Sequence, residues 1–164
     1  MATKYTLSYD ASVDLGSVRK TLQELQPGES IITYNTEEGI FEVSEITSVE
    51  IDPDVDYEKY YQGIKMNYLP QVLTLDSIIY VKEDLEGEVF LGYFTDEAPE
   101  IEGIASEKLV KVQAEVHKMF DGQNWVNIDT LGVMACQGRL AHITVASNHS
   151  LFTGNLLISD YKAK

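Results

Sequence analysis

Ile143-Thr144-Val145-Ala146-Ser147-Asn148-His149-Ser150-Leu151-Phe152-Thr153-Gly154-Asn155-Leu156-Leu157-Ile158-Ser159-Asp160 is the most informative stretch of this chain. Strand candidates at Ala141–Val145 and Leu156–Ile158 flank turn chemistry at Thr153-Gly154-Asn155. The same grammar repeats upstream. Ser12–Leu15, Ser30–Tyr34, Phe41–Val49, Gln71–Leu75, Ile78–Val81 and Glu88–Phe94 are short runs rich in β-branched and aromatic residues. Val110, Val112, Ala114 and Val116 alternate with Lys111, Gln113, Glu115 and His117, a period of two that predicts a half-buried strand over 110–117. Asp121-Gly122 then turns the chain towards Trp125-Val126-Asn127-Ile128, which predicts a hairpin. Only Thr21–Leu25 and Asp56–Gln62 read as helical, and both are short. Turn signals recurring every 8–15 residues or so predict an all-β fold.

A chain of 164 residues suits one domain with a real core. The acidic stretch Thr95–Gly103, with Pro99 and Gly103, reads as an exposed connection within that domain, dispensable for folding. Twenty-seven acidic against twelve basic residues give a net charge of −15, which argues against nucleic acid and anionic membranes as partners. Neither a run of about 18 apolar residues nor a signal peptide is found, and the single cysteine makes intracellular synthesis the plainest expectation. Cys136 is the single cysteine, which rules out an intrachain disulfide and reads as a small buried hydrophobe.

Three blocks, in order, resemble inteins and other Hint domains. The first is Thr6-Leu7-Ser8-Tyr9-Asp10-Ala11-Ser12-Val13, followed by Glu24-Leu25-Gln26-Pro27-Gly28-Glu29 and a strand ending in Tyr34. It is similar to the family's opening: a nucleophilic Cys or Ser, a short strand and an "E-L-x-x-G-D" turn. Thr6 falls at the nucleophile and Glu29 where the turn has Asp. The last block resembles the family's "T-V-x-x-x-H-x-F" strand and "N-G-L-L-V" hairpin. There His149 matches the histidine, Ser159-Asp160 replaces the terminal His-Asn, and His142 replaces an Asp. A weaker middle block, Thr74-Leu75-Asp76-Ser77, keeps the Thr of "T-x-x-H" but has Ser77 for the His. The resemblance spans Thr6 to Asp160. It implies a horseshoe-shaped β fold with one or two short helices, and it requires Thr6 and Asp160 to meet at a common centre.

The reaction this resemblance implies needs a nucleophile, a middle histidine, a cyclising terminal Asn and an acyl acceptor after it. A secondary hydroxyl such as that of Thr6 is weakly nucleophilic without a nearby base. Ser77 has no proton-relay pKa near neutrality. Asp160 lacks the amide nitrogen that closes the ring, and Tyr161 is a poor acceptor. Thr74 then reads as a strand residue bonding locally, and His149 as a satisfied, partly buried histidine. No cofactor is implied. His142 and His149 lack a third metal ligand at a recognisable spacing, so no metal is expected. The alternating Asp52, Asp54, Asp56 and Glu58 read as a solvated acidic turn, without the Gly and final Glu of a calcium loop. Tyr57, Tyr60 and Tyr61 read as a mini-core around a short helix, with an adhesive surface as the alternative.

A Hint scaffold without its catalytic residues is expected to serve binding. Since self-splicing elements and their relatives are common in phage genomes, the resemblance implies a non-catalytic structural or assembly protein. It would be a phage virion component of tail, baseplate or capsid decoration, located in the virion or host cytoplasm. Its partners would be other structural proteins of the assembly. The alternatives are a residual autoprocessing domain, cleaving at Tyr5–Thr6 or Asp160–Tyr161, and a small acidic binding protein.

Overall fold

The computed structural model describes residues 5–53, 60–67 and 73–164. Short β-branched runs between turns give sixteen strands among these residues. The first half holds β1 (Leu7–Ser8), β2 (Ser12–Asp14), β3 (Arg19–Thr21), β4 (Ser30–Asn35), β5 (Ile40–Ile51), β6 (Tyr60–Met66), β7 (Leu73–Thr74) and β8 (Ile79–Lys82). The second holds β9 (Phe90–Tyr93), β10 (Leu109–Lys111), β11 (Lys118–Phe120), β12 (Trp125–Asn127), β13 (Leu131–Gln137), β14 (Leu140–Val145), β15 (Ser150–Thr153) and β16 (Leu156–Ser159). Two short 3₁₀ turns, Leu22–Glu24 and Ser106–Lys108, are the helical elements described.

Two sheets result. One runs β13-β6-β7-β1-β14-β5-β4, and the other β10-β9-β8-β16-β15-β2-β3, with β11 and β12 attached through β8. The order brings the chain ends together. β1 pairs antiparallel with β14, Leu7 facing Ala141, and with β7, Leu7 facing Leu73. β16 lies between β8 and β15. Strands β15 and β16 are buried along their whole lengths, so Leu151-Phe152 and Leu156-Leu157-Ile158 stand adjacent where an exposed hairpin would alternate. Leu7, Ile46, Ile143, Leu151 and Ile158 belong to the larger core. A second cluster gathers Tyr34, Tyr80, Phe120, Phe152 and Leu157. Fully burying one such side chain is worth about 1.5–3 kcal/mol.

The opening turn explains why a Glu serves where the resemblance has Asp. Glu29 reaches back to accept the backbone N–H of Gln26 at 3.0 Å and pairs with Lys20 at 2.5 Å. Lys20 holds the Glu29 carboxyl below its ordinary pKa. Gly28, at φ 96°, supplies the left-handed residue the turn needs.

Six readings of the sequence are corrected. The strand predicted over 110–117 stops at Lys111, where β10 has paired in parallel with β9. Glu115 then turns at φ 67° and the backbone N–H of Gln113 bonds His117 Nδ1 at 3.0 Å. That turn buries His117 and leaves Val116 46% exposed, reversing the alternation. The Asp121-Gly122 hairpin exists, but its first strand is β11 at Lys118–Phe120. Tyr60–Gln62, read as helix, lie in β6, because pairing with β13 over seven residues outweighs a local helical preference. Tyr60 is 67% exposed there, not in a mini-core; Tyr57 lies outside the described residues, as do Asp54, Asp56 and Glu58. Cys136 is only partly buried, on β13 against Gly63. In the acidic connection Asp96, Glu97, Ala98, Glu100 and Glu102 are exposed, but Ile101 is buried in the second core cluster. Removing the whole segment therefore removes core.

Candidate functional site

Thr6 immediately precedes β1, and its backbone N–H bonds the Ala141 carbonyl at 3.0 Å. That register sets its side chain beside His142, the next residue of β14. Thr6 Oγ1 lies 2.6 Å from His142 Nδ1, and His142 Nε2 lies 2.8 Å from the Asp160 carbonyl oxygen. A carbonyl only accepts, so Nε2 carries the proton and Nδ1 is left to accept the Thr6 hydroxyl. Burial, reinforced by the charge of Lys162, keeps His142 below the ordinary histidine pKa and hence neutral. His142 thus joins the two ends of the resemblance through a single imidazole. A base stands beside Thr6 after all.

The turn after β7 closes the opposite side. Thr74 Oγ1 donates to the Tyr5 carbonyl at 3.4 Å, a long bond. Ser77 Oγ donates to the Thr6 carbonyl and accepts the Thr74 backbone N–H at 3.0 Å. Thr6, Thr74 and Ser77 are all buried. Thr74 lies in β7, bonds locally to Ser77, and also touches the peptide that precedes Thr6.

Asp160 is held differently. Its carboxylate, 2% exposed, accepts the Val145 N–H at 3.0 Å and pairs with His149 Nδ1 at 2.8 Å. The Asp160 N–H bonds the His149 carbonyl at 3.1 Å. His149 is half exposed, with Nδ1 held by Asp160. It has φ 47°, and its ring stacks on Tyr161 with centroids 4.4 Å apart. Ser159 is buried, its hydroxyl accepting the Tyr161 N–H at 3.1 Å. The residues after Asp160 are docked too: Lys162 pairs with Glu50 at 2.9 Å, and the Lys164 N–H bonds the Glu100 carbonyl.

One network therefore runs Thr74–Ser77–Thr6–His142–Asp160–His149, with Ser159 at its edge. Sequence reasoning missed Tyr80, whose hydroxyl donates to the His149 carbonyl at 2.8 Å. Burial raises the Tyr80 pKa so far that it stays a donor. It missed Tyr161 as the stacking partner of His149 as well. No local pattern marks either residue. The base role open to His142 was also hidden, since Thr6 and His142 are 136 positions apart. Among the described residues no group of three or more His, Cys, Asp or Glu side chains converges as a metal site.

Chemically, Thr6 Oγ1 has an acceptor for its proton, and the Tyr5 carbonyl it would attack has one hydroxyl donor. The Asp160 side chain offers no amide nitrogen, and its oxygens are engaged.

This architecture is the intein-like, or Hint, fold. The solution structure of a bacterial intein-like domain from Clostridium thermocellum superimposes with a TM-score of 0.64 at 11% identity, covering 94% of this chain and 98% of that one. A mutant of the Ssp DnaB mini-intein gives 0.64 at 11% identity, covering 100% and 97%. A DnaB intein from Synechocystis gives 0.57 at 11% identity, covering 94% and 97%. No protein-family model and no curated protein matches the chain.

Proposed function

We propose that this chain is a non-splicing Hint scaffold that acts through contacts with other proteins of an assembly. The state of Asp160 carries this reading. The group that should cyclise is a carboxylate, buried, bonded by Val145 and His149, and followed by residues built into the fold. An ionised carboxylate is a poor nucleophile towards its own backbone carbonyl, and here it would first have to give up both partners. The placement in a phage particle rests on the resemblance alone. Intact mass after long incubation tests the scaffold reading: the full chain should persist. Spontaneous loss of Tyr161–Lys164 would overturn it. Introducing the missing groups together, Asp160→Asn with Ser77→His, should restore some cleavage after residue 160.

The Thr6–His142 contact favours a second reading, residual autoprocessing at the N-terminal junction alone. In it, His142 Nδ1 takes the Thr6 hydroxyl proton and Oγ1 adds to the Tyr5 carbonyl; the Tyr5–Thr6 C–N bond then breaks as the imidazolium returns that proton to the leaving Thr6 nitrogen, so the peptide becomes an ester with a free Thr6 amine. General-base help of this kind is worth about 10²–10⁴-fold. Hydroxylamine traps esters, so this reading predicts release of Met1–Tyr5 from the wild type and none from Thr6→Ala or His142→Ala. An unchanged wild-type mass under hydroxylamine discards it.

A further inference from the structure

Away from the junctions, three turns converge on Phe41: those joining β2 to β3, β11 to β12, and β15 to β16. They enclose an open cleft of about 520 Å³. Phe41 is 52% exposed, yet its ring is fixed, 5.2 Å from Tyr34 edge-on and 5.8 Å from Phe152 in a stacked arrangement. Around it stand Asp14, Asp121, Gln123 and Asn155.

Asp14, Asp121 and Asn155 are each half used. Asp14 spends Oδ1 on the Gly16 N–H at 2.9 Å, and Asp121 spends Oδ1 on the N–H groups of Gln123 and Asn124, both at 2.8 Å. These bonds preset the two carboxylates, which lowers the ordering cost of binding. Among the described residues their second oxygens have no partner. The Asn155 carbonyl accepts the Arg19 guanidinium, leaving its NH₂ group, and the Gln123 side chain is unbonded. The cleft therefore presents acceptors and donors side by side, next to an open aromatic ring.

That combination discriminates between ligands. An anion would face Asp14 and Asp121. A guanidinium or ammonium would satisfy the carboxylates but not the amides, and would meet Arg19 on the rim. A sugar ring fits all of it: adjacent hydroxyls donate to carboxylate oxygens and accept from amides, while an apolar C–H face lies on Phe41. We infer that this cleft is a shallow binding site for a neutral pyranose. The inference goes beyond the scaffold reading and does not depend on it, since no residue of the Thr6–Asp160 network lines the cleft.

The test uses the whole protein, isotope-labelled, titrated separately with the methyl glycosides of glucose, galactose, mannose and N-acetylglucosamine. At least one should shift the backbone amides of Gly16, Phe41, Gly122 and Asn155 together, saturating in the millimolar range. Phe41→Leu and Asp121→Asn should each weaken that binding about tenfold. Asp121→Asn keeps the turn-forming oxygen and changes only the free one; Asp14→Asn repeats the logic should either variant fail to fold. No shift at these amides with any of the four glycosides overturns the proposal. So do equal shifts with arginine amide, which would mark a cationic site, or variants that bind like the wild type.

Discussion

His117 is a side chain through which acid should act on this fold. Its Nδ1 accepts the Gln113 N–H, so Nε2 carries the proton, buried without a hydrogen-bond partner among the described residues and 3.8 Å from Glu83. Burial lowers its pKa, as it does for His142. Both rings protonate less readily folded than unfolded, so the unfolded state binds more protons as pH falls. Stability is fully present above the ordinary histidine value of 6.5 and is lost as pH drops through it towards the folded values. The urea midpoint should therefore fall between about pH 7.5 and about pH 5.5, and His117→Gln should shrink that fall. An identical pH slope in the variant would show that His117 contributes nothing.

Between elements, Gly92 is closely packed in the second sheet. A Cβ there would stand 2.6 Å from Val112 Cγ2 and 3.1 Å from Val81 Cγ1, where β9 lies between β8 and β10. Gly92→Ala should cost about 1–3 kcal/mol. Val112→Ala removes the clashing methyl, so the double variant should be more stable than the sum of the two losses predicts. Denaturant titrations over the four-member cycle give the coupling, and strict additivity would show that the clash is relieved elsewhere. The acidic connection is argued in the same way. Ile101→Ala should cost about 2–5 kcal/mol because Ile101 fills the second core cluster, whereas exposed Glu102→Ala should stay within about 0.5 kcal/mol.

Across the whole molecule, a charge of −15 on 164 residues opposes compaction. Most acidic side chains are exposed, so salt screens their repulsion. The melting temperature should rise as sodium chloride goes from near zero to about 0.15 M, where the Debye length is about 8 Å. A fall would mean that the surface ion pairs, such as Lys108–Glu88 at 2.7 Å, outweigh the net repulsion.

Composition, alternation and turn residues were enough to determine an all-β chain, and the spacing of Thr6, Thr74, His149 and Asp160 was enough to suggest the Hint scaffold. Both are local or ordered properties of the string, written in periodicity and in motifs that keep their sequence. Strands β6 and β13 escaped because their pairing energy is non-local and overrides the local preference at Tyr60–Gln62. The fate of His117 and Val116 turned on one side-chain bond to a backbone N–H. Only the tertiary structure decided that His142 faces Thr6 with one nitrogen and Asp160 with the other. A hydrogen bond between residues so far apart in the chain exists because β1 pairs with β14, and no property of either segment alone encodes that register.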